Sequence, residues 1–449
     1  MRKLLSLSAL VAIFAISCQQ ELNNDVVVDN NTTTITDLNP YRSYDEALQI
    51  AEESIAIIEG KGTTRANAQR RIAKDKGQVI RTETTRSGGG GEPVAYVFNF
   101  EEEQGFAVIA ADERFDPVIA VTEQGSYTYG EPTGVEAFDE YMDNTIDLMS
   151  VIFPPTIDPG DPITPTPGTY FEEVDIYNRV DPLLATKWSQ EGIYGAYCET
   201  GVCGCVTTAF GQIMAYHQHP SSILYSFMGY TTLSNLDWPS IVMHTSDGVT
   251  DDSCDCGCNY HQIGRLLREV GERFDTEYGT DANGNGYGSS NLLKAATGLP
   301  SLGYNTPQFA NNIDITDYIS NIYANLDNNY PIMIGGVYTH EEGSSGHAWV
   351  IDGYHEEASG RNYYVSNPEY NWLNPTPGVP QYIFSHSTVV RTEMLHYNWG
   401  HNGLCDGWYN VGVFKLNDEV EYDEYHFYAY QMNQNYNENM QILYNIIPN

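Results

Sequence analysis

The chain has 449 residues, with 21 Lys or Arg against 60 Asp or Glu, so its formal net charge is −39. This acidity argues against sequence-independent binding to nucleic acid, which needs basic patches, and against an electrostatic hold on anionic lipid. Aromatic residues make up 12% of the chain, enough for a large core. The length predicts two or three domains, and no run after residue 18 is long and apolar enough for a transmembrane helix.

The N-terminus has the pattern of an export signal. A basic start precedes the apolar stretch 4–16 and a small residue before Cys18, so residues 1–18 are predicted to be a lipoprotein signal peptide, cleaved so that Cys18 becomes the new N-terminus. The segment AISC resembles a bacterial lipobox, which predicts lipidation of Cys18; an ordinary signal peptide is the alternative. Two or more acyl chains would anchor the protein, and residues 19–40 would form a polar tether. This lipid anchor is the only membrane contact expected.

Seven cysteines remain after Cys18. An odd number in an exported protein predicts that six can form disulfides and one is a free, reactive thiol. The CDCGC segment (254–258) lacks the C-x₂-C spacing of a structural zinc site, so disulfides with Cys198, Cys203 or Cys405 are expected there instead. The seven cysteines other than Cys18 are Cys198, Cys203, Cys205, Cys254, Cys256, Cys258 and Cys405. The oxygen-rich segment 281–290 lacks the bidentate Glu of a calcium loop and is predicted to be a turn; no metal or organic cofactor is expected.

An N-terminal domain is predicted before a Pro-rich linker. Residues 41–60 have apolar residues at helical spacing and end at Gly60, a suitable helix C-cap. Three β-rich runs follow, AYVFNF, FAVIAA and PVIAVT, and then a second helix over 136–152. The predicted boundaries are 41–153 for this small α+β domain, 154–169 for the linker and 170–449 for the main domain.

The segment CGCVTTAFGQIMAYHQHP (203–220) predicts a helix with a buried face, from an apolar stripe at i, i+3 and i+4. Cys205 stands at its start, where the helix dipole favours a thiolate. On spacing alone Cys203 is an equal candidate for the nucleophile, and a disulfide cysteine is the alternative for either residue.

The segment SGHAWVIDGY places His347 at the start of a predicted strand that ends in a turn. The apolar run 328–340 is expected to pair with this strand as a hairpin. His347 follows Cys205 by 142 residues, in the order and at the distance of a papain-like layout, in which the base faces the nucleophile helix.

Three further residues suit a Cys–His hydrolase. An Asn398 side-chain carbonyl could orient the imidazole, and the indole of Trp399 could shield that contact from water. Gln190, fifteen residues before Cys205, could donate to an oxyanion beside the Cys205 backbone N–H.

Together, TKWSQ, GCVTTAFGQIMAYHQHP, SGHAWVIDGY and HYNWGHNGLCDGWY resemble the streptopain family of secreted bacterial cysteine peptidases, in order over about residues 180–415. The resemblance implies that Cys205 is the nucleophile and His347 the base. It also implies that Gln190 serves the oxyanion, that Asn398 and Trp399 form the supporting pair, and that the GHA residues Gly346 and Ala348 bind substrate. The chain departs from the family pattern NWGWGG at His401 and Asn402, which changes a loop near the substrate.

The resemblance implies an α+β, papain-like two-lobe fold, with a helical lobe and an antiparallel β-sheet lobe, behind an inhibitory propeptide domain. It also implies an exported, monomeric endopeptidase made as a zymogen, acting on proteins or peptides through a thioester. Two alternatives are a catalytically silent surface-binding lipoprotein and a cell-wall amidase or acyl transferase with the same chemistry.

Overall fold

The computed structural model describes residues 41–60, 68–81, 91–113, 115–151, 170–227, 230–245, 260–282, 284–340, 343–367, 370, 379–387, 390–411 and 440–449. The export signal with Cys18, the tether, the linker and the CDCGC segment lie outside these residues. None of the described helices is long and apolar enough to cross a membrane.

The N-terminal domain contains the two predicted helices and the three predicted strands. Helix α1 (Tyr44–Glu59) begins with a capping box between Ser43 and Glu46 and ends at Gly60, whose φ is +90°. The strands are β2 (Pro93–Phe100), β3 (Phe106–Ala110) and β4 (Val118–Thr122), and the second helix is α2 (Glu136–Val151). An additional strand, β1 (Ile72–Arg81), pairs with β2; its sequence, IAKDKGQVIR, has no apolar alternation that would have predicted it.

The remainder of the described chain begins with β5 (Tyr170–Val180). Its helices are α3 (Cys205–His217), α4 (Trp238–Thr245), α5 (Tyr260–Arg273), α6 (Leu292–Gly298) and α7 (Ile319–Asp327). Its strands are β6 (Ser222–Phe227), β7 (Tyr230–Asn235), β8 (Glu277–Thr280), β9 (Gly286–Ser289), β10 (Gln308–Asn311), β11 (Ile332–His340), β12 (Gly343–Ser366), β13 (Tyr382–Ser387), β14 (Val390–Asn398), β15 (Gly407–Asn410) and β16 (Gln441–Tyr444). The turn predicted over 281–290 is only partly correct, because residues 286–289 form β9, which pairs with β8.

One sheet runs through the predicted N-terminal and main domains, and the described residues within 41–163, 177–356 and 392–449 belong to one compact unit. Its strand order is β1-β2-β3-β4-β15-β14-β12-β11-β16-β10. Strands β4 and β15 are antiparallel, with Thr122 opposite Gly407 and Ala120 opposite Tyr409. The sheet of the N-terminal domain therefore continues into the sheet of the main domain through backbone hydrogen bonds.

The predicted hairpin forms between β11 and β12, with Ile332 opposite Ile351 and Gly336 opposite His347. The predicted turn after Tyr354 is wrong, because β12 continues to Ser366. Beyond its pairing with β11, the strand pairs with β13, so the extended backbone still has hydrogen-bond partners there. Because β12 begins at Gly343, His347 lies within the strand and not at its first residue.

Helix α3 is buried along most of its length. Its apolar face packs into a cluster that includes Trp188, Leu267 and Phe274. A Cβ at Gly211 would lie 2.4 Å from the Leu267 side chain, so glycine permits the close approach of α3 and α5. A smaller compact unit, formed by 170–176 and part of 357–391, contains β13 and the adjoining end of β12.

Candidate active site

Cys205 is the first residue of α3 and is partly exposed. Gly204 precedes it with φ +89°, and a Cβ there would lie 2.5 Å from the Gly288 carbonyl oxygen. Only glycine fits this approach to the β8–β9 hairpin. The Gly-Cys step of the motif therefore sets the thiol at the positive end of the helix dipole.

The geometry favours Cys205 over Cys203 as the nucleophile. Cys203 is fully buried with its sulfur 3.2 Å from the Thr208 hydroxyl, and burial raises the pKa of its thiol. Such a thiol is protonated at neutral pH and has no access to substrate.

The prediction of disulfides is not supported at the described cysteines. Cys198, Cys203 and Cys405 are free thiols. Cys405 belongs to the core cluster around Trp399 and Tyr409, whereas Cys198 and Cys203 belong to the cluster around α3. Each of the three is buried as a small apolar side chain.

His347 faces Cys205 from β12. Its Nε2 lies 2.8 Å from the Trp399 carbonyl oxygen; because a carbonyl only accepts, Nε2 carries the proton and Nδ1 remains for Cys205. The two side chains are hydrogen-bonded, and the backbone N–H groups of Val206 and Ala348 also donate to the sulfur.

The pKa shifts of the pair have opposite signs. Burial acts to raise the pKa of the Cys205 thiol, but the hydrogen bond and charge of His347 outweigh it, and the pKa is lowered. Burial acts to lower the pKa of His347, but Cys205 and the Trp399 carbonyl outweigh it, and the pKa is raised. Both shifts favour a thiolate–imidazolium pair.

The predicted contact between Asn398 and His347 is not found. Asn398 Oδ1 accepts from Gln212 Nε2 at 2.8 Å and from the Gly400 N–H at 3.1 Å, and Asn398 Nδ2 donates to the Thr186 carbonyl at 3.1 Å. The Trp399 carbonyl occupies the place expected for the Asn398 oxygen, because the chain turns after β14 and presents that peptide to His347.

Trp399 is fully buried beside His347. Its ring centroid lies 6.2 Å from that of His347, and its Nε1 donates to the Tyr409 hydroxyl at 3.0 Å. Its backbone N–H donates to Asp406 at 2.8 Å, and burial raises the pKa of that carboxyl to about 7. The predicted contact that Trp399 was expected to shield is absent, and a shielding role beside His347 stays a prediction.

The other predicted site residues lie near the pair. The Gln190 carbonyl accepts from the Cys203 N–H at 2.9 Å, which places Gln190 beside the start of α3. Gly346 is exposed and Ala348 is buried, one on each side of His347 in β12. The oxyanion role of Gln190 and the substrate contacts of Gly346 and Ala348 stay predictions.

The site contains two further residues, Gln212 and His401. Neither of them was assigned a role from the sequence. Gln212 lies on α3 at the helical spacing of a core residue and holds Asn398. His401 stacks on His347 with ring centroids 5.3 Å apart. Burial and the charge of His347 lower the pKa of His401 to about 3, so its ring is neutral. Its departure from the family motif was the only signal in the sequence.

The N-terminal domain contacts this region in two further ways. Tyr141 of α2 has its ring centroid 6.3 Å from that of Trp399. Glu123, directly after β4, lies 3.5 Å from Nε2 of His396, whose Nδ1 is 2.6 Å from Asp352.

Among the residues that the structure describes, no group of three His, Cys, Asp or Glu could hold a metal ion.

A thiol at the start of a buried helix, facing a histidine on an antiparallel sheet, defines a papain-like cysteine peptidase. Residues 188–409 match the family model of the Peptidase C10 family, and residues 34–146 match that of the Spi protease inhibitor. The chain belongs to the Peptidase C10 family and has an inhibitor-like domain at its N-terminus.

The chain is also similar to individual proteins and to solved structures. Streptopain of Streptococcus pyogenes serotype M28 (strain MGAS6180) is 24% identical over 424 residues, which span 87% of this chain and 88% of streptopain. The thiol protease/hemagglutinin PrtT of Porphyromonas gingivalis is 22% identical over 345 residues, 70% of this chain and 33% of PrtT. A prointerpain A fragment of Prevotella intermedia is 18% identical with a TM-score of 0.49, over 83% of this chain and 99% of the fragment.

Proposed function

We propose that this chain is an exported, monomeric cysteine endopeptidase made as an inactive precursor. The observation that supports it most directly is the hydrogen-bonded Cys205–His347 pair, with pKa shifts that favour the thiolate and the imidazolium. Proteins or peptides are the proposed substrates, in keeping with the family.

In the proposed reaction, the Cys205 thiolate attacks the scissile carbonyl, and the oxyanion is held by Gln190 and the Cys205 N–H. His347 then protonates the leaving amine, which leaves a thioester on Cys205. His347 next takes a proton from water, and the resulting hydroxide attacks the thioester, which expels the Cys205 thiolate and restores the thiolate–imidazolium pair. The Trp399 carbonyl keeps Nε2 protonated and Nδ1 directed at Cys205 throughout.

We also propose that the export signal ends at Cys18 and that lipidation there anchors the protein at the outer membrane or cell surface. The lipobox-like AISC segment and the polar residues 19–40 support this anchor. The intact mass of protein purified from its host membrane fraction tests it. A mass that fits an unmodified chain without residues 1–18 would contradict lipidation.

Substitution of the nucleophile tests the activity. After separation from the N-terminal domain, Cys205→Ala should reduce cleavage of a fluorogenic peptide to background. Cys203→Ala is the matched control, because it removes a neighbouring thiol that is buried and protonated. Activity in Cys205→Ala, or its loss only in Cys203→Ala, would refute the assignment.

A further inference from the structure

A buried amide links the nucleophile helix to the loop that holds the base. Gln212 lies seven residues after Cys205 on α3 and is fully buried. Its Oε1 accepts from the Thr186 hydroxyl at 3.0 Å and from the Trp188 N–H at 3.1 Å. Its Nε2 donates to Asn398 Oδ1 at 2.8 Å. Both the oxygen and the nitrogen of this amide are therefore hydrogen-bonded.

Backbone groups fix the orientation of both amides. The Trp188 N–H can only donate, so it requires the oxygen of Gln212, and the Gln212 nitrogen must face Asn398. The Gly400 N–H likewise requires the oxygen of Asn398, while the Thr186 carbonyl requires its nitrogen. Neither amide can rotate by 180° without opposing two donors or two acceptors.

This network ends on the peptide unit that holds the catalytic base. The Gly400 N–H and the Trp399 carbonyl belong to the same peptide, which is planar and trans, so the two groups point in opposite directions. Asn398 holds the N–H, and His347 binds the carbonyl at 2.8 Å. Fixing the direction of the N–H therefore fixes the direction of the carbonyl that selects the His347 tautomer.

We propose that Gln212 is a positioning residue for catalysis: through Asn398 it sets the Trp399–Gly400 peptide, and so the ring of His347 relative to the Cys205 thiolate. Because α3 bears both Cys205 and Gln212, one helix places the nucleophile and, through this network, its base. The effect on catalysis rests on the proposed peptidase function. The effect on the Cys205–His347 thiolate–imidazolium pair does not.

The variant Gln212→Glu isolates the donor to Asn398. It keeps an acceptor for Thr186 and Trp188 but replaces the NH₂ group with a carboxyl oxygen. When ionised, that oxygen repels Asn398 Oδ1; when protonated, its O–H can donate in place of the amide. Burial raises the pKa of such a carboxyl, so the defect should grow with pH.

The measurement is the rate of iodoacetamide alkylation at Cys205 in the full chain, located by fragment-ion mass and followed from pH 5 to 8, together with kcat and KM after activation. At pH 8 the variant should alkylate about tenfold more slowly than wild type and lose kcat by a similar factor, as expected for one buried hydrogen bond. At pH 5 it should approach wild type, and KM should change little.

Gln218→Glu is the matched control, because it makes the same charge change at the exposed end of the same helix; it should follow wild type at each pH. A folded Gln212→Glu variant that follows wild type, or is equally slow at pH 5 and 8, would overturn the proposal. Alkylation needs no peptide substrate, so a wild-type chain that cleaves no peptide would contradict the proposed function and leave this measurement valid.

If Gln212→Glu shows no cooperative unfolding transition, the variant is not folded, and Thr186→Val supplies the test. It removes the hydroxyl that donates to Gln212 while the Thr186 position keeps its backbone carbonyl for Asn398. Its kcat and its Cys205 alkylation rate should fall about threefold with KM unchanged; wild-type values for both would overturn the proposal.

Discussion

His401 gives one face of the His347 imidazole a neutral aromatic neighbour, 5.3 Å away between ring centroids. The family pattern has Trp at this position, and an indole attracts a cation more strongly than a neutral imidazole does. His401→Trp should therefore stabilise the His347 imidazolium and raise its pKa. Because a pKa unit corresponds to about 1.4 kcal/mol, the alkaline limb of kcat/KM should move up by as much as about one unit.

The pH profile of activity on a fluorogenic peptide measures this shift. Asn402→Gly, the neighbouring departure from the family pattern, is the control, because Asn402 is exposed and its substitution should leave the profile unchanged. An alkaline limb that does not move in His401→Trp would show that the stacked ring has no electrostatic effect on His347.

Gln190 lies beside the start of α3, where an oxyanion would form. If its amide donates to that oxyanion, Gln190→Ala should lower kcat by roughly 10²-fold with a much smaller change in KM. Steady-state kinetics on the activated enzyme measure the change, with Gln218→Ala as the control on an exposed glutamine. A wild-type kcat would remove Gln190 from the mechanism.

At the scale of elements, strand β15 is both a part of the peptidase sheet and the attachment site for the inhibitor-like domain. It pairs with β4 on one side and with β14 on the other. Removal of the domain would leave β15 with an unpaired edge. Docking by strand pairing uses backbone groups, so side-chain contacts around the strand must supply its selectivity.

Glu123 supplies one such contact through its ion pair with His396. Burial acts to lower the pKa of His396, but Asp352 and Glu123 raise it to about 10 from 6.5. Burial acts to raise the pKa of Glu123, but His396 outweighs it and lowers the pKa from 4.5. Arg70 and Lys187 also favour the ionised Glu123, whereas Asp406 titrates nearby, with its pKa raised to about 7.

The two shifts define a pH window. The stabilisation from His396 is complete below pH 6.5 and is lost as the pH rises through about 10. The stabilisation from Glu123 is complete above pH 4.5 and is lost as the pH falls through its lowered pKa. The ion pair should therefore contribute most between about pH 4.5 and 6.5.

Glu123→Gln should lower the melting temperature of the full chain by about 2–4 °C at pH 5.5, and the difference should shrink towards pH 10. Differential scanning calorimetry measures it, with Glu131→Gln as a control on an exposed carboxylate of the same domain. An equal difference at pH 5.5 and pH 10 would contradict a role for the charged pair.

At the scale of the whole molecule, the continuous sheet and the contact of Tyr141 with Trp399 support the proposal that the N-terminal domain keeps the precursor inactive. The family resemblance implied an inhibitory propeptide domain; the observed contacts are strand pairing at β15 and packing of Tyr141 of α2 against Trp399. We expect cleavage within about residues 154–187 to release activity, and the separated domain to inhibit when added back.

A fluorogenic peptide assay on three samples checks this expectation: the full chain, residues 170–449, and that fragment with residues 19–153. Activity should appear only in the second sample, and the added domain should raise the melting temperature of the fragment, since it binds the folded state. Equal activity in all three samples would leave the N-terminal domain as a spacer or adhesion domain.

The sequence by itself determined the elements whose side chains repeat with a clear period or end at recognisable caps. Helices α1 and α3, strands β2 to β4 and the β11–β12 hairpin follow from such local patterns. Four short motifs in order gave the family and the Cys205–His347 pair. Strand β1 was missed because its polar sequence resembles a loop, although tertiary pairing with β2 makes it a strand.

Only the tertiary structure decided the partners. Every residue carries the same backbone carbonyl, so no residue type in the sequence could identify the Trp399 carbonyl as the partner of His347. Cys203 and Cys405 are free thiols, and the CDCGC cysteines with which the sequence paired them lie outside the described residues. The Gln212–Asn398 contact joins residues 186 positions apart, and β4 meets β15 across a similarly long separation. Such contacts depend on how the chain returns on itself, which local spacing does not specify.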